Sequence, residues 1–531
     1  MSDELPTSGI GKYSRAKAIA ALVGLLVLSE AIYLLLLNLN AVNGWESVST
    51  FWLEMGALFA LYGIAAILTN RCKVIGKPAV WIIIFGAVLF RLTLLPAGIP
   101  YEFTPSERIE AISADLAGTE VTYDRFLLFD NDIWRYIWDG HVWAHGGNPY
   151  AYPPEHERLD ELTGAASVTP DSPEDEISDD SGSRDSEEDV TESVMGENTK
   201  PRLDDPSLTD RSEIWTDIRD NVNHADVTTI YPPLAQIVFR LSHMLAPGSL
   251  LMMKMLLVGI ELVGIMFMML TLRRLDLPAA TVILYAWNPL MIKVFAGSGH
   301  ADSILMAALC ATVYFVVRGS RSAAAAAFGL AILAKLSPVI LLPFVARRVG
   351  WLRSLIIGAV VLLGYVPFVD AGQNLFSGFL KFASEWQFNA GFFGLVQWLT
   401  GSFSADPSNL ARQICAVLVV AVILVLSWRD DLGAKAFVRS TAIAMGTVII
   451  LSPTVMPWYL SWVLPIAVLA RQHIWIYFSA LVLAAFHILI DLNEYAAVLW
   501  VEHGLFFVIL FGQFWFYRTQ FVSMLRGVAD A

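Results

Sequence analysis

The sequence predicts an all-α integral membrane protein of about 12 transmembrane helices plus a re-entrant pair, with an external loop bearing an interfacial amphipathic helix. Three observations predict it. Hydrophobic residues make up 56% of the 531. Many apolar runs reach the roughly 20 residues that a helix needs to cross a bilayer core. Lys and Arg fall between those runs on alternate sides, which is how cytoplasmic loops are marked.

The elements follow in order. Apolar runs at about 17–37, 51–69 and 79–95 give three spans in an N-terminal unit, residues 1–95. Lys12, Arg15 and Lys17 precede the first run, Arg71 to Lys77 separate the second and third, and the loop 40–50 has no Lys or Arg. The N-terminus is therefore expected in the cytoplasm. No small-residue cleavage site follows the first run, so it reads as a retained span.

The loop 96–248 is then external. Its segment 155–226 holds 23 Asp and Glu against 6 Lys and Arg, so the chain's net charge of −14 belongs there and the remainder nets +3. With few large apolar residues, this segment cannot offset its ordering entropy, and disorder is expected. A halophile's surface has the same composition, and an acidic cation trap is the functional alternative.

The unit 249–531 carries spans at about 249–270, 279–295, 302–317, 353–369, 408–427, 437–452, 457–470, 473–490 and 496–516. The run 323–345 is flanked by Arg318 and Arg321 on one side and Arg347, Arg348 and Arg353 on the other. One full crossing would put a basic cluster outside. Two half-helices meeting near Lys335-Leu-Ser-Pro338 keep both inside, since proline ends the first of them. Both termini are then cytoplasmic. Cys72, Cys310 and Cys415 suggest neither a disulfide framework nor a metal motif. No glycine-rich phosphate loop, HExxH or nucleophile elbow is present, and no nucleic-acid partner is expected.

The chemistry concentrates in Phe129 to Tyr150. At helical period Asp132, Arg135, Tyr136, Asp139 and Trp143 share one face, and Ile133, Trp134, Ile137, Trp138 and Val142 share the other. Asp130 or Asn131 can cap the start, and Gly146-Gly147 and Pro149 stop the helix. Such a helix suits a membrane surface, with its polar face toward water. Gly299-His-Ala-Asp302, Tyr231-Pro-Pro and Ser452-Pro-Thr-Val-Met-Pro-Trp-Tyr459 fall on the same external side.

Asp132-Ile-Trp-Arg-Tyr-Ile-Trp-Asp-Gly, Gly147-Asn-Pro-Tyr, Tyr231-Pro-Pro-Leu-Ala-Gln, Trp287-Asn-Pro-Leu, Gly299-His-Ala-Asp and Leu451-Ser-Pro-x-x-x-Pro-Trp-Tyr occur in this order. The set resembles polyprenyl- or dolichyl-phosphate-mannose-dependent mannosyltransferases of the GT-C superfamily, over about residues 124 to 462. The acidic segment interrupts the pattern and suits an archaeal-type N-glycosylation enzyme. The first two spans stand outside the pattern, as an added hairpin.

The resemblance implies a GT-C-like fold, a lipid-phosphate sugar donor, a glycan or glycolipid acceptor, and an external carboxylate base acting by inverting displacement. The acceptor hydroxyl must lose a proton as it attacks, and the leaving phosphate needs a cation. Asp132 is the candidate base, against a first-turn Asp favoured by the helix dipole. Asp130 is a cap or a catalytic partner. Arg135 is a phosphate ligand or an ion-pair member, with Asp139 holding it. His300 and Asp302 either contact the donor or cap the span that follows. With Asp130 and Asp132, His300 is a possible divalent-cation ligand. Lys335 is costly at membrane depth unless paired or facing a wet cavity, so it is placed near the donor phosphate. Tyr231 is a further substrate contact, and Trp138, Trp458 and Tyr459 are candidate sugar or lipid stackers, against plain interfacial anchoring. The rival class is a polytopic transporter or flippase for a lipid-linked sugar. Such proteins favour mid-membrane charges and inverted repeats, neither of which dominates here.

Overall fold

The computed structural model of the chain describes residues 10–39, 44–71, 76–100, 103–119, 123, 127–163, 211–489 and 497–512. Helices α1 (Ile10–Leu36), α2 (Gly44–Arg71) and α3 (Lys77–Leu94) form where the apolar runs predict them. Each buries one stripe, including Tyr33, Phe51, Met55 and Phe90, and exposes Val27, Leu35, Leu53, Ile64 and Trp81 on the other. Large apolar side chains open on one face are what a lipid-facing helix presents. The hairpin of α1 and α2 is integrated with the rest: Glu30 accepts from Thr93, and Trp52 Nε1 donates to Leu483 O at 3.2 Å.

The loop after α3 begins with α4 (Pro105–Ala117), whose first turn is closed by a capping box between Thr104 and Glu107. Then come α5 (Asp132–Ala144), α6 (Arg211–Asp220), α7 (Pro233–Leu245) and the long α8 (Leu250–Arg274). Asp115 fixes the start of α8 by accepting from Leu250 N at 3.0 Å and Leu251 N at 3.1 Å. Arg91 of α3 forks onto Glu261 of α8 at 2.7 and 2.6 Å. The two-pronged geometry is what makes two buried charges tolerable between apolar helices.

Two features of this loop differ from the sequence reading. Helix α5 does not lie on a surface with a wet polar face: Ile133 through Val142 are all buried. Its polar side is satisfied internally, by Arg135 with Asp139 at 2.9 Å and by Gln236 of α7 with Asp139 at 2.9 Å. Gly140 permits the close packing of α7, because a Cβ there would sit 2.4 Å from Phe239 O.

The acidic segment is also ordered at both ends. Residues Glu157–Thr163 form a 3-10 turn and α6 runs to Asp220. Leu159, Ile214 and Ile218 are buried, and Arg219 meets Asp160 at 2.7 Å. A few apolar residues at each foot sufficed to anchor it, which the average composition concealed. The expectation of disorder for 164–210 lies outside the described residues.

The run 279–295 is not one crossing. A 3-10 turn and α9 (Ile283–Ala286) are followed by α10 (Pro289–Ile292) and a π turn, Lys293–Gly297, and the two halves bend by 61°. Pro289 removes a helical donor, and the Asn288 side chain caps the new start by accepting from Met291 N at 3.3 Å. Helix α11 (Asp302–Arg318) follows. Helix α12 (Arg321–Ala334) stops at an extended Lys335, and a 3-10 turn, Ser337–Leu341, leads into α13 (Leu342–Val349). This is the break at Lys335–Pro338 that the arginine clusters required.

Among the described residues, seven helices are long and apolar enough to cross a membrane, or eight with the bent pair counted as one. Four shorter apolar helices, Arg321–Ala334, Pro457–Ala470, Ile474–His487 and Ala497–Gly512, accompany them. Several expected full spans are therefore short or broken pieces. No strand occurs among the described residues, only an isolated bridge between Phe388 and Thr454.

Candidate functional site

The turn before α5 aims two carboxylates. Leu128 and Phe129 both adopt left-handed backbone, at φ 50° and 67°. That conformation costs non-glycine residues about 1–2 kcal/mol each, so surrounding contacts must hold it. Leu127 N donates to Asp130 O at 2.7 Å, and Ser298 Oγ donates to Leu127 O at 3.0 Å. Asp130 then caps α5 by accepting from Asp132 N at 3.2 Å. From the other side Gly299, at φ 73°, turns the chain so that His300 reaches the same point, and a Cβ at Gly299 would lie 2.7 Å from Ile133 Cδ1.

His300 is the hub. Its Nε2 contacts Asp130, and its Nδ1 faces Tyr136 Oη at 3.3 Å, with Asp132 and Asp302 carboxylate oxygens each at 3.9 Å. Trp458 stacks on the imidazole, ring centroids 3.9 Å apart. Tyr231 donates to Asp132 Oδ2 at 3.2 Å and stands 3.4 Å from Tyr136 Oη. A continuous chain of polar contacts thus runs from Asp132 through Tyr231, Tyr136 and His300 to Asp130.

Asp302 accepts from Lys335 Nζ at 2.9 Å and from Trp462 Nε1. The Lys335 ammonium also lies over the rings of Tyr459 and Trp462, at 4.8 and 4.7 Å. Such stacking and pairing stabilise a largely buried cation while leaving it partly open, with 23% of its side chain exposed.

These groups open on a cleft of about 190 Å³, lined among others by Asp130, Asp132, Asn223, His224, Tyr231, Lys335, Trp386, Trp458 and Tyr459. The two carboxylates differ. Asp130 is almost sealed, whereas 19% of the Asp132 side chain faces the cleft. Burial raises the Asp132 carboxyl and the neighbouring Asp130 raises it further. His300, Asn223 and Lys335 offset this only in part, leaving it above the ordinary carboxylate range. Burial also acts on Asp130, but His300 and the Lys293 ammonium outweigh it and hold Asp130 below that range. Two neighbouring carboxylates pushed apart in this way suit different tasks.

The sequence-selected residues sort as follows. Asp130, Asp132, Tyr231, His300, Asp302, Lys335, Trp458 and Tyr459 come together, although they derive from five separate stretches. Arg135 reaches the cleft wall, but its Nε is bound to Asp139 and its Nη2 to Val227 O at 2.9 Å. Trp138 does not reach the cleft. It is fully buried on the opposite side of α5, at the apolar stripe that its spacing already marked. Asn223, His224, Tyr136 and Trp386 were not singled out. Asn223 and His224 sit at the end of the acidic segment, where composition masked them; only their proximity in sequence to Tyr231-Pro-Pro hinted at a role.

A divalent cation is chemically possible here. Asp130, Asp132 and His300 offer three donor atoms within 4.8 Å of one another, and a set with two carboxylates suits Mg²⁺ or Mn²⁺.

Comparison with known proteins bears on this geometry. A family described as alpha-(1->6)-mannopyranosyltransferase, N-terminal domain, matches residues 209–350, and a family described as MptB C-terminal domain matches residues 390–511. The first match holds Tyr231, His300, Asp302 and Lys335, and the second holds Trp458 and Tyr459. A similar curated protein is Alpha-(1->6)-mannopyranosyltransferase A of Mycobacterium tuberculosis (strain ATCC 25618 / H37Rv). It is 25% identical over 216 residues, which is 34% of this chain and 40% of that protein. The matched stretch therefore spans less than half the relative's length. No solved structure matches the chain.

Proposed function

We propose that this membrane mannosyltransferase of the GT-C kind moves a mannosyl residue from a polyprenyl-phosphate donor to the 6-hydroxyl of a mannose-bearing acceptor, at the extracytoplasmic face. The relative's name and the matching family description support the α-1,6 linkage. These matches do not bear on the archaeal N-glycosylation reading; the mannose-bearing acceptor is proposed from the α-1,6 linkage.

The observation that carries the proposal is one partly exposed carboxylate, Asp132, held by Asn223 and Tyr231 at a cleft that Lys335 also lines. Asp132 takes the proton of the acceptor hydroxyl as that oxygen attacks the anomeric carbon. The bond from the anomeric carbon to the donor phosphate breaks, and the phosphate leaves with the electron pair. A single displacement of this kind inverts the anomeric centre. The charge that develops on the phosphate is met by the Lys335 ammonium. His224 lies in the same cleft, but burial lowers its pKa, so it serves as a neutral hydrogen-bond donor. Asp130 and His300 hold the turn and tune Asp132. Trp386, Trp458 and Tyr459 supply ring faces for the sugars. Arg135, committed to Asp139, positions α5.

The test is transfer from labelled polyprenyl-phosphate-mannose to an α-1,6-mannoside acceptor by the full chain in detergent. Asp132→Asn lowers kcat by two orders of magnitude or more, the scale of a lost general base, while donor binding persists. An Asp132→Asn protein with unchanged turnover overturns the assignment. EDTA treatment followed by Mg²⁺ or Mn²⁺ decides whether a cation at Asp130, Asp132 and His300 takes part: recovery marks metal assistance, and undiminished transfer in EDTA marks a metal-free displacement.

A further inference from the structure

A second cluster of ligating side chains lies away from the cleft, at the C-terminal end of α5. His141 and His145 stand one helical turn apart there, and His243 of α7 faces them. One ring nitrogen from each of the three lies within 4.8 Å of the others. The ring centroids of His141 and His243 are 5.1 Å apart, and those of His145 and His243 are 5.5 Å apart.

Two of the three rings already have one nitrogen on a backbone carbonyl, in the manner of metal ligands. His141 Nε2 bonds Leu162 O at 2.8 Å, and His145 Nδ1 bonds His141 O at 3.0 Å. A backbone carbonyl on one nitrogen fixes the tautomer and turns the lone pair of the other toward a metal. His141 Nδ1 and His243 Nδ1 are both buried without a hydrogen-bond partner. Aromatic stacking alone would leave two desolvated acceptors unsatisfied.

We propose that His141, His145 and His243 form a structural Zn²⁺ site that clips the end of α5 to α7. Three imidazole nitrogens suit zinc, which takes N donors at about 2.0–2.1 Å in tetrahedral array. Such an array separates nitrogens by roughly 3.4 Å, so the three rings close up around the ion, and water fills the fourth position. The carbonyl end of α5 adds a favourable field for a cation. Trp215 of α6 stacks on His141 at 3.5 Å and shields the site. The consequence for the proposed reaction is mechanical: Asp132 opens the same 13-residue helix that His141 closes.

The site is tested on the full chain in detergent, with any affinity tag removed, stripped by chelating resin and titrated with Zn²⁺ or Co²⁺. The wild type retains a single Zn²⁺ per chain by mass spectrometry, gives the visible absorption of four-coordinate Co²⁺, and rises in Tm with Zn²⁺ but not with Mg²⁺. His145→Gln, at an exposed position where folding is not at stake, abolishes both the metal and the Tm rise, as does His243→Gln. Asp132→Asn retains both, which separates this site from the cleft and from the fate of the transferase reading. A wild-type chain that holds no stoichiometric zinc overturns the proposal, and so does zinc held equally by His145→Gln and His243→Gln.

Discussion

Asn223 Nδ2 donates to Asp132 Oδ1 at 2.9 Å, and to Asn131 Oδ1 at 3.1 Å. A residue from the last turn of the acidic segment thus orients the carboxylate at the start of α5. Asn223→Ala leaves Asp132 held by Tyr231 alone and is expected to lower kcat about tenfold to a hundredfold, the range for a misplaced catalytic group. Removing residues 166–208 is expected to leave transfer intact. Removing 160–226 should abolish it, because that deletion takes Asn223 and the Asp160–Arg219 tie with it. Radiolabel transfer by the two deletion proteins measures this.

The elevated pKa of Asp132 gives a signed pH dependence. A base acts ionised, so kcat/KM rises with pH through a limb above the ordinary carboxylate value of about 4. Asn223 favours the ionised form, so Asn223→Ala shifts that limb to higher pH. The linkage has the opposite sense for stability. A carboxyl raised in the fold stabilises most below its unfolded pKa, and that contribution is lost as pH climbs through the folded one. Above its unfolded pKa the Asp132 carboxyl is therefore a net cost to the fold, and Asp132→Asn is expected to hold or raise Tm while losing turnover. Thermal unfolding beside pH–rate profiles tests both signs.

Arg135 behaves as half of a buried pair. Arg135→Met is expected to destabilise by about 3–5 kcal/mol, the scale for stranding a buried charge. The double change Arg135→Met with Asp139→Leu should recover much of that loss. A phosphate ligand would give another pattern: a raised KM for the donor in a protein of unchanged stability. Lys335→Met should raise the donor KM and, because it strips the buried Asp302 of its partner, lower the unfolding midpoint as well; the raised KM is what Arg135→Met lacks. Donor-dependence curves and unfolding midpoints for the three variants distinguish the roles.

Gly140→Ala sets a Cβ against Phe239 O at 2.4 Å. Backbone cannot yield as a side chain does, so α5 and α7 must part, at a cost of about 1–3 kcal/mol. A lower unfolding midpoint, with Asp132 still present, checks whether this contact carries the site's alignment.

Much of the site was readable in the primary structure because its groups cannot be replaced cheaply. Carboxylates, a histidine and a lysine among apolar runs need one another or water, and charge alternation set them on one side. That reasoning joined Asp132, His300, Asp302 and Lys335 across long stretches of chain, and it required the break at Lys335–Pro338. Burial of α5 was not readable. Its amphipathic period describes a polar face, and a polar face is equally served by water or by Gln236 and Val227 O. The position of Trp138 follows from that same period, read for its apolar side. Asn223 stayed hidden because an average over 155–226 cannot show one residue held by its neighbours, and the bend at Asn288–Pro289 because hydropathy is blind to a missing donor.

The salt link between Asp160 and Arg219, with Leu159, Ile214 and Ile218 packed beneath it, joins the two feet of the acidic arm. A protease cut anywhere from 164 to 210 would sever the polypeptide without parting the pieces. The nicked enzyme should travel as one particle, separate into two fragments only under denaturing electrophoresis, and continue to work.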